Sequence, residues 1–146
     1  MKKVLLLSFL IISVFFSIPA KAQYRMVSGV NDNQFDKNKE TFIVLRGYYG
    51  TSMAKATIDL SLTAPEIITA TVTWHVSPPP VTPDTTTCQF VFAVNKTVID
   101  KIKVVVVIDQ MDRAGGSNKT EINRIDVSVD PNQEKILVDL NAEKKL

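Results

Sequence analysis

The chain has 146 residues, with 17 basic and 15 acidic side chains, one cysteine and one histidine. That length holds one domain with a real core and is short for two. A lone cysteine excludes an intramolecular disulfide, and one His with one Cys excludes the usual zinc sites unless several carboxylates join them.

The N-terminus reads as a secretory signal. Lys2 and Lys3 precede an almost uninterrupted apolar run, Val4–Ile18, and Ala20-Lys21-Ala22 ends it with small residues at the two positions a signal peptidase inspects. The apolar run is about 15 residues long, short of the roughly 20 that a spanning helix needs. Cleavage is expected after Ala22, which divides the chain into a signal peptide over 1–22 and a single β-sandwich domain over 23–146. No later stretch is long and apolar enough to span a bilayer, and no cysteine follows the cut to carry a lipid. The short Lys-Lys start suits a bacterial signal, so the mature chain is expected to be secreted or periplasmic. Losing Lys2, Lys3 and Lys21 leaves 14 basic against 15 acidic residues, or −1. With no positive field and no Lys/Arg stripe, a nucleic-acid partner is excluded.

In the mature chain, Gln23–Val30 predicts a short edge strand and Asn31–Glu40 a polar loop. Thr41–Tyr49 is rich in aromatic and β-branched residues and reads as a strand. From Ala54 the pattern alternates: Ala54, Ala56, Ile58, Leu60 and Leu62 on one face, Lys55, Thr57, Asp59 and Ser61 on the other. Ile68, Ala70, Val72, Trp74 and Val76 then alternate with Thr69, Thr71, Thr73 and His75. These are half-buried strands, and the Pro65 break between them predicts a hairpin. Ser77–Asp84 contains three consecutive prolines and predicts a stiff connector from one sheet to the other. Thr86–Val94 and Val98–Asp109 follow. Val104–Ile108 is apolar on both faces, which predicts a central strand. Asp112–Asn118 is a loop with a Gly115-Gly116 turn. Glu121–Val129 and Ile136–Leu140 flank Asp130-Pro131-Asn132-Gln133, the chemistry of a type I turn, and predict a closing hairpin. About seven strands, or eight, with no helical periodicity predict an all-β fold. The expected form is a single antiparallel β-sandwich of immunoglobulin-like or Greek-key type, with a small barrel as the alternative.

Little reactive chemistry is visible. His75 lies on the polar face of its strand, and no nucleophile or orienting acid can be paired with it from sequence. Cys88 alternates with Phe90 and Phe92 and reads as a small buried hydrophobe. Asn31, Asp32, Asn33 and Asp36 form one acidic, amide-rich loop, and Asp109, Asp112 and Asn118 another. Neither has EF-hand spacing, so turn-forming side chains are expected there rather than calcium ligands. Asp100, Asp109, Asp126 and Asp139 lie in or near strands, and most of them are expected to be solvated, outward positions. Trp74 is expected in the core, and Tyr48 and Tyr49 on opposite faces of their strand. Asn95-Lys96-Thr97 and Asn118-Lys119-Thr120 match the glycosylation pattern by chance in a bacterial context. No catalytic, cofactor-binding or metal-ligating residue is assigned. The expectation is a non-catalytic binding or envelope-assembly module that meets a protein or a surface glycan through its loops or a sheet edge. A small hydrolase using loop carboxylates, and a structural subunit of a surface fibre, are the alternatives.

Overall fold

Alternation decides most of the architecture, because most of the strands have one apolar side to bury. The computed structural model describes residues 23–51, 54–64, 67–78 and 84–142, so the expected signal peptide lies outside the described residues. The described residues form no helix. They form β1 (Tyr24–Met26), β2 (Glu40–Tyr49), β3 (Ala54–Ala64), β4 (Ile67–Val76), β5 (Thr86–Asn95), β6 (Lys101–Met111), β7 (Ser117–Ser128) and β8 (Lys135–Asp139). One four-stranded sheet has the order β1-β5-β2-β8 and the other β3-β4-β6-β7.

The sheets share one core. Ile43, Leu45, Phe92 and Val138 from the first sheet meet Ile68, Ala70, Val72, Trp74, Val104 and Val106 from the second. Trp74 is buried, as its parity predicts, and Tyr49 leans on it with ring centroids 5.8 Å apart. Tyr48, one residue earlier, points out and is 56% exposed. Burying an aromatic of this kind stabilises the fold by roughly 1.5–3 kcal/mol before the cost of ordering it.

The β3–β4 hairpin forms as expected, with a bulge between Leu62 and Ala64. The proline-rich segment does join opposite sheets, although residues 79–83 lie outside the described residues. Strand β6 is central, between β4 and β7.

Two expectations are corrected. The sandwich is not purely antiparallel: β2 runs parallel to β8, and β4 parallel to β6. The chain leaves β4 for the other sheet, runs back as β5, and so enters β6 in the direction of β4. The closing hairpin is also absent. The Asp130 turn forms, with the Gln133 amide donating to the Asp130 carbonyl at 3.1 Å. It links β7 of one sheet to β8 of the other. Turn chemistry reverses the chain but does not choose its partner. Burial of Ile136 and Val138 against the shared core places β8 beside β2.

A second, smaller core lies on the outer side of the first sheet. Phe42, Val44, Val91 and Ala93 are covered there by Val27 and Phe35, with Phe35 stacked on Phe42 at 3.9 Å. This explains why Thr41–Leu45 is buried on both faces. The expected polar loop therefore acts as a cover.

Candidate functional site

Three places could carry function: a polar cluster on the outer face of the second sheet, the clasp that holds the cover loop, and the sheet edges.

The polar cluster brings four strands together. Parity puts Thr57 (β3), His75 (β4) and Asp109 (β6) on the outer face, and the β7 bulge brings Ser117 to the same side. Register sets His75 directly beside Asp109. His75 Nδ1 lies 3.2 Å from Asp109 Oδ2, and Nε2 lies 2.8 Å from Thr57 Oγ1. The Ser117 hydroxyl donates to the other Asp109 oxygen. That bond holds the Asp109 carboxyl below the usual carboxylate range, against the opposing effect of burial and with further help from His75. An ionised carboxylate can only accept, so Nδ1 is the nitrogen that donates to Asp109, and a ring protonated there alone accepts from Thr57 through Nε2. The Asp109 side chain is 9% exposed and that of His75 34%. Asp109 thus departs from the expectation that it points freely into solvent. Thr57, Ser117 and the acid that orients His75 were not assigned from sequence. Parity could have placed Thr57, His75 and Asp109 on one face; only the parallel β4–β6 register makes His75 and Asp109 neighbours, and Ser117 joins them only through the β7 bulge.

The connectivity is that of a hydroxyl, a base and an orienting acid. The setting is a sheet face, and among the described residues no helix N-terminus delivers paired amides to a developing oxyanion. A cleft of about 620 Å³ lies at the sheet end among Val76, Pro78, Gln110, Met111, Arg113 and Asn118. Cys88 sits in the other sheet, packed against the shared core, so it does not meet His75.

The clasp is built from Arg25. Its guanidinium bonds Glu40 at 3.1 Å through two nitrogens and also pairs with Asp32. The hydrogen bond from Arg25 holds Asp32 below its ordinary value. Burial pushes Glu40 up, but Arg25 and the Asp36 amide outweigh it and leave its carboxyl lowered. Asp36 accepts from the Asn38 amide, and Asp112 from the amides of Ala114 and Gly116. The acidic loops therefore use their carboxylates as turn and clasp groups. Among the described residues, no three His, Cys, Asp or Glu side chains gather around a common metal position.

The edges differ in how they are guarded. Strand β3 carries Lys55 and Asp59 and ends in a bulge. Strand β7 is bulged where Asn123 and Glu121 face Val106 and Val107, and it carries Lys119, Glu121, Arg124 and Asp126. Strand β8 is short and flanked by Lys135 and Asp139. Beyond β8, Asn141 covers the β2 edge, its amide bonding both the N–H and the C=O of Tyr48 at 2.8 and 2.9 Å. These are the usual ways to blunt an edge.

Strand β5 is the exception. Strand β1 pairs only with Phe92, Ala93 and Val94, flanked by bonds from the Asn95 amide to Gln23 and from the Val27 amide to Val91. These two bonds fix the phase: odd-numbered β5 residues point to that edge and even-numbered ones to β2. Thr87 and Gln89 therefore direct their amides and carbonyls outward, and no strand among the described residues pairs with them there. Thr86–Phe90 holds no charge, no proline and no bulge.

Compared with known family models, curated proteins and solved structures, the chain matches none. No helix among the described residues is long and apolar enough to cross a membrane.

Proposed function

We propose that the mature chain is an exported, non-catalytic β-sandwich module that binds a partner by adding an extended strand to the open half of β5. The carrying observation is the contrast between edges among the described residues: each of the others is charged, bulged, short or covered, while Thr86–Phe90 is none of these there. Main-chain hydrogen bonds would supply affinity, and the side chains on the two faces specificity. A groove of about 410 Å³ lined by Arg46, Tyr48, Thr87, Gln89 and Asp139 lies on the outer face beside this edge and would receive a partner side chain. An immunoglobulin-like placement and a periplasmic or extracellular site belong to the same proposal, supported by the two facing sheets and the N-terminal pattern.

The test is a peptide-display selection on the mature protein, counter-selected on Gln89→Pro. That variant removes an outward amide and leaves the β2 ladder intact. Expected are extended peptides that protect the Thr87 and Gln89 amides from hydrogen exchange. A selection that enriches nothing over the proline variant refutes the reading.

A second reading, a small secreted hydrolase, is favoured by the Thr57–His75–Asp109 distances. It would use these strand residues in place of the loop carboxylates, whose oxygens are committed to Arg25 and to turn amides. Turnover of 4-nitrophenyl acetate that disappears in both Thr57→Ala and His75→Ala would support it. Hydrolysis no faster than buffer would dismiss it.

A further inference from the structure

We propose that the occupant of the open β5 edge is the same segment of a second copy, paired antiparallel and centred on Cys88. The proposal rests on the strand-addition reading above and names its partner.

The register argument starts from the phase of β5. Antiparallel strands alternate between pairs that exchange two hydrogen bonds and closer pairs that exchange none. A two-fold axis relates identical segments, so residues equidistant from the axis face each other. The middle of the open stretch Thr86–Phe90 is Cys88. Centring the axis there sets Thr87 against Gln89 of the second copy, and Gln89 against its Thr87. Both are outward-pointing residues, so each pair can exchange two bonds. Thr86 then faces Phe90, a β-branched residue beside an aromatic, a favourable cross-strand pair. No charge opposes its own copy. Centring the axis on Gln89 or Phe90 would set outward residues against Val91 or Ala93, which the N-terminal strand already engages, and centring it on Thr86 or Thr87 would set an outward residue against one that precedes β5.

The same register makes Cys88 face Cys88 in a pair without hydrogen bonds. There the Cα atoms stand about 4.5 Å apart with side chains on one face. A disulfide accepts Cα separations of about 4.4–6.8 Å, so the two thiols can be bridged without moving the backbone. In the monomer, Cys88 is half-buried against the core, and burial pushes its thiol up, partly opposed by a hydrogen bond with the Gly47 backbone. Such a thiol is a slow nucleophile, and pairing holds the second thiol beside it. The oxidant is a small-molecule disulfide. One Cys88 thiolate attacks glutathione disulfide, forms a mixed disulfide and releases one glutathione thiolate. The second Cys88 attacks the protein sulfur of that mixed disulfide, forms the inter-chain bond and releases the other glutathione thiolate. The two protons lost from the cysteines end on the two glutathiones.

The experiment uses the reduced mature protein, titrated with glutathione disulfide and read on non-reducing gels and by light scattering. Expected is a covalent dimer that is lost in Gln89→Pro. The Cys88→Ser protein should still gain exchange protection at Thr87 and Gln89 as its concentration rises. Should Gln89→Pro fail to fold, the double variant Thr87→Lys/Gln89→Lys changes only exposed side chains and sets lysine against lysine across the axis. It too should lose the dimer. A wild-type protein that stops at the glutathione mixed disulfide overturns the proposal. So does an edge variant, folded by circular dichroism, that dimerises as readily as wild type. If the protein stays monomeric yet captures display peptides at this edge, the homodimer fails while strand addition stands.

Discussion

The two halves of β5 make an instructive pair. The half from Val91 to Asn95 is flanked by β1 and β2, buried on its inner face by the shared core and covered outside by Phe35 and Val27. Among the described residues, the half from Thr86 to Phe90 is paired with β2 alone, and Thr87 and Gln89 are exposed. One strand thus passes from being fully surrounded to being a template. What changes along it is the cover supplied by an N-terminal segment that turns away after Val27.

Substitutions can sharpen that contrast. The largest effect is expected from Phe92→Ala, which empties a fully buried site on the covered half and should cost about 3–5 kcal/mol in urea unfolding. Next is Gly47→Ala on β2, beside Cys88. A Cβ there would stand 2.9 Å from the Leu140 Cβ, so the C-terminal segment must shift. A loss of about 1–3 kcal/mol is expected by the same measurement. Arg25→Gln should loosen the cover without unfolding the sandwich, read as faster hydrogen exchange over residues 27–39 and unchanged exchange in β6. Thr87→Ala on the bare half should lie within about 0.5 kcal/mol of wild type. A Thr87→Ala loss comparable to that of Phe92→Ala would erase the distinction between the halves.

Acid adds a fifth check. Asp32, Glu40 and Asp109 all have carboxyls held below their ordinary values in the folded chain. The unfolded chain therefore binds more protons than the folded one. Their stabilisation is present above the unfolded values, near about pH 4, and is lost as pH falls through the lowered folded values. Melting temperature should drop on acidification, and less steeply in Arg25→Gln, which removes the main cause at Asp32.

Legibility in the sequence followed the range of each interaction. Period-two alternation marked β3 and β4, and the proline break between them marked their hairpin, because adjacent strands with a short connection have few other partners. The turn at Asp130 was also legible, as a local hydrogen-bond pattern. Which strand came next to β8 was not, since that depends on which inner face has room for Ile136 and Val138. The same reason hid the polar cluster. His75 and Asp109 are each an outward residue on a strand, and only a parallel register between strands separated by β5 sets them side by side. Ser117 was hidden too: the expected loop reached Asn118, whereas β7 begins at Ser117. The open edge of β5 depends on where β1 stops, and no residue type announces that.

Strand β2 acquires its last neighbour from the far end of the chain, with Ile43 opposite Ile136 and Tyr48 bound by the Asn141 amide. Such pairings close loops spanning most of the domain, and chains dominated by them fold slowly. A polypeptide delivered N-terminus first would hold Ile43 and Leu45 without their final cover until almost all of it had arrived. For that interval the strand presents an unpaired edge, the kind of transiently exposed surface that favours aggregation during folding.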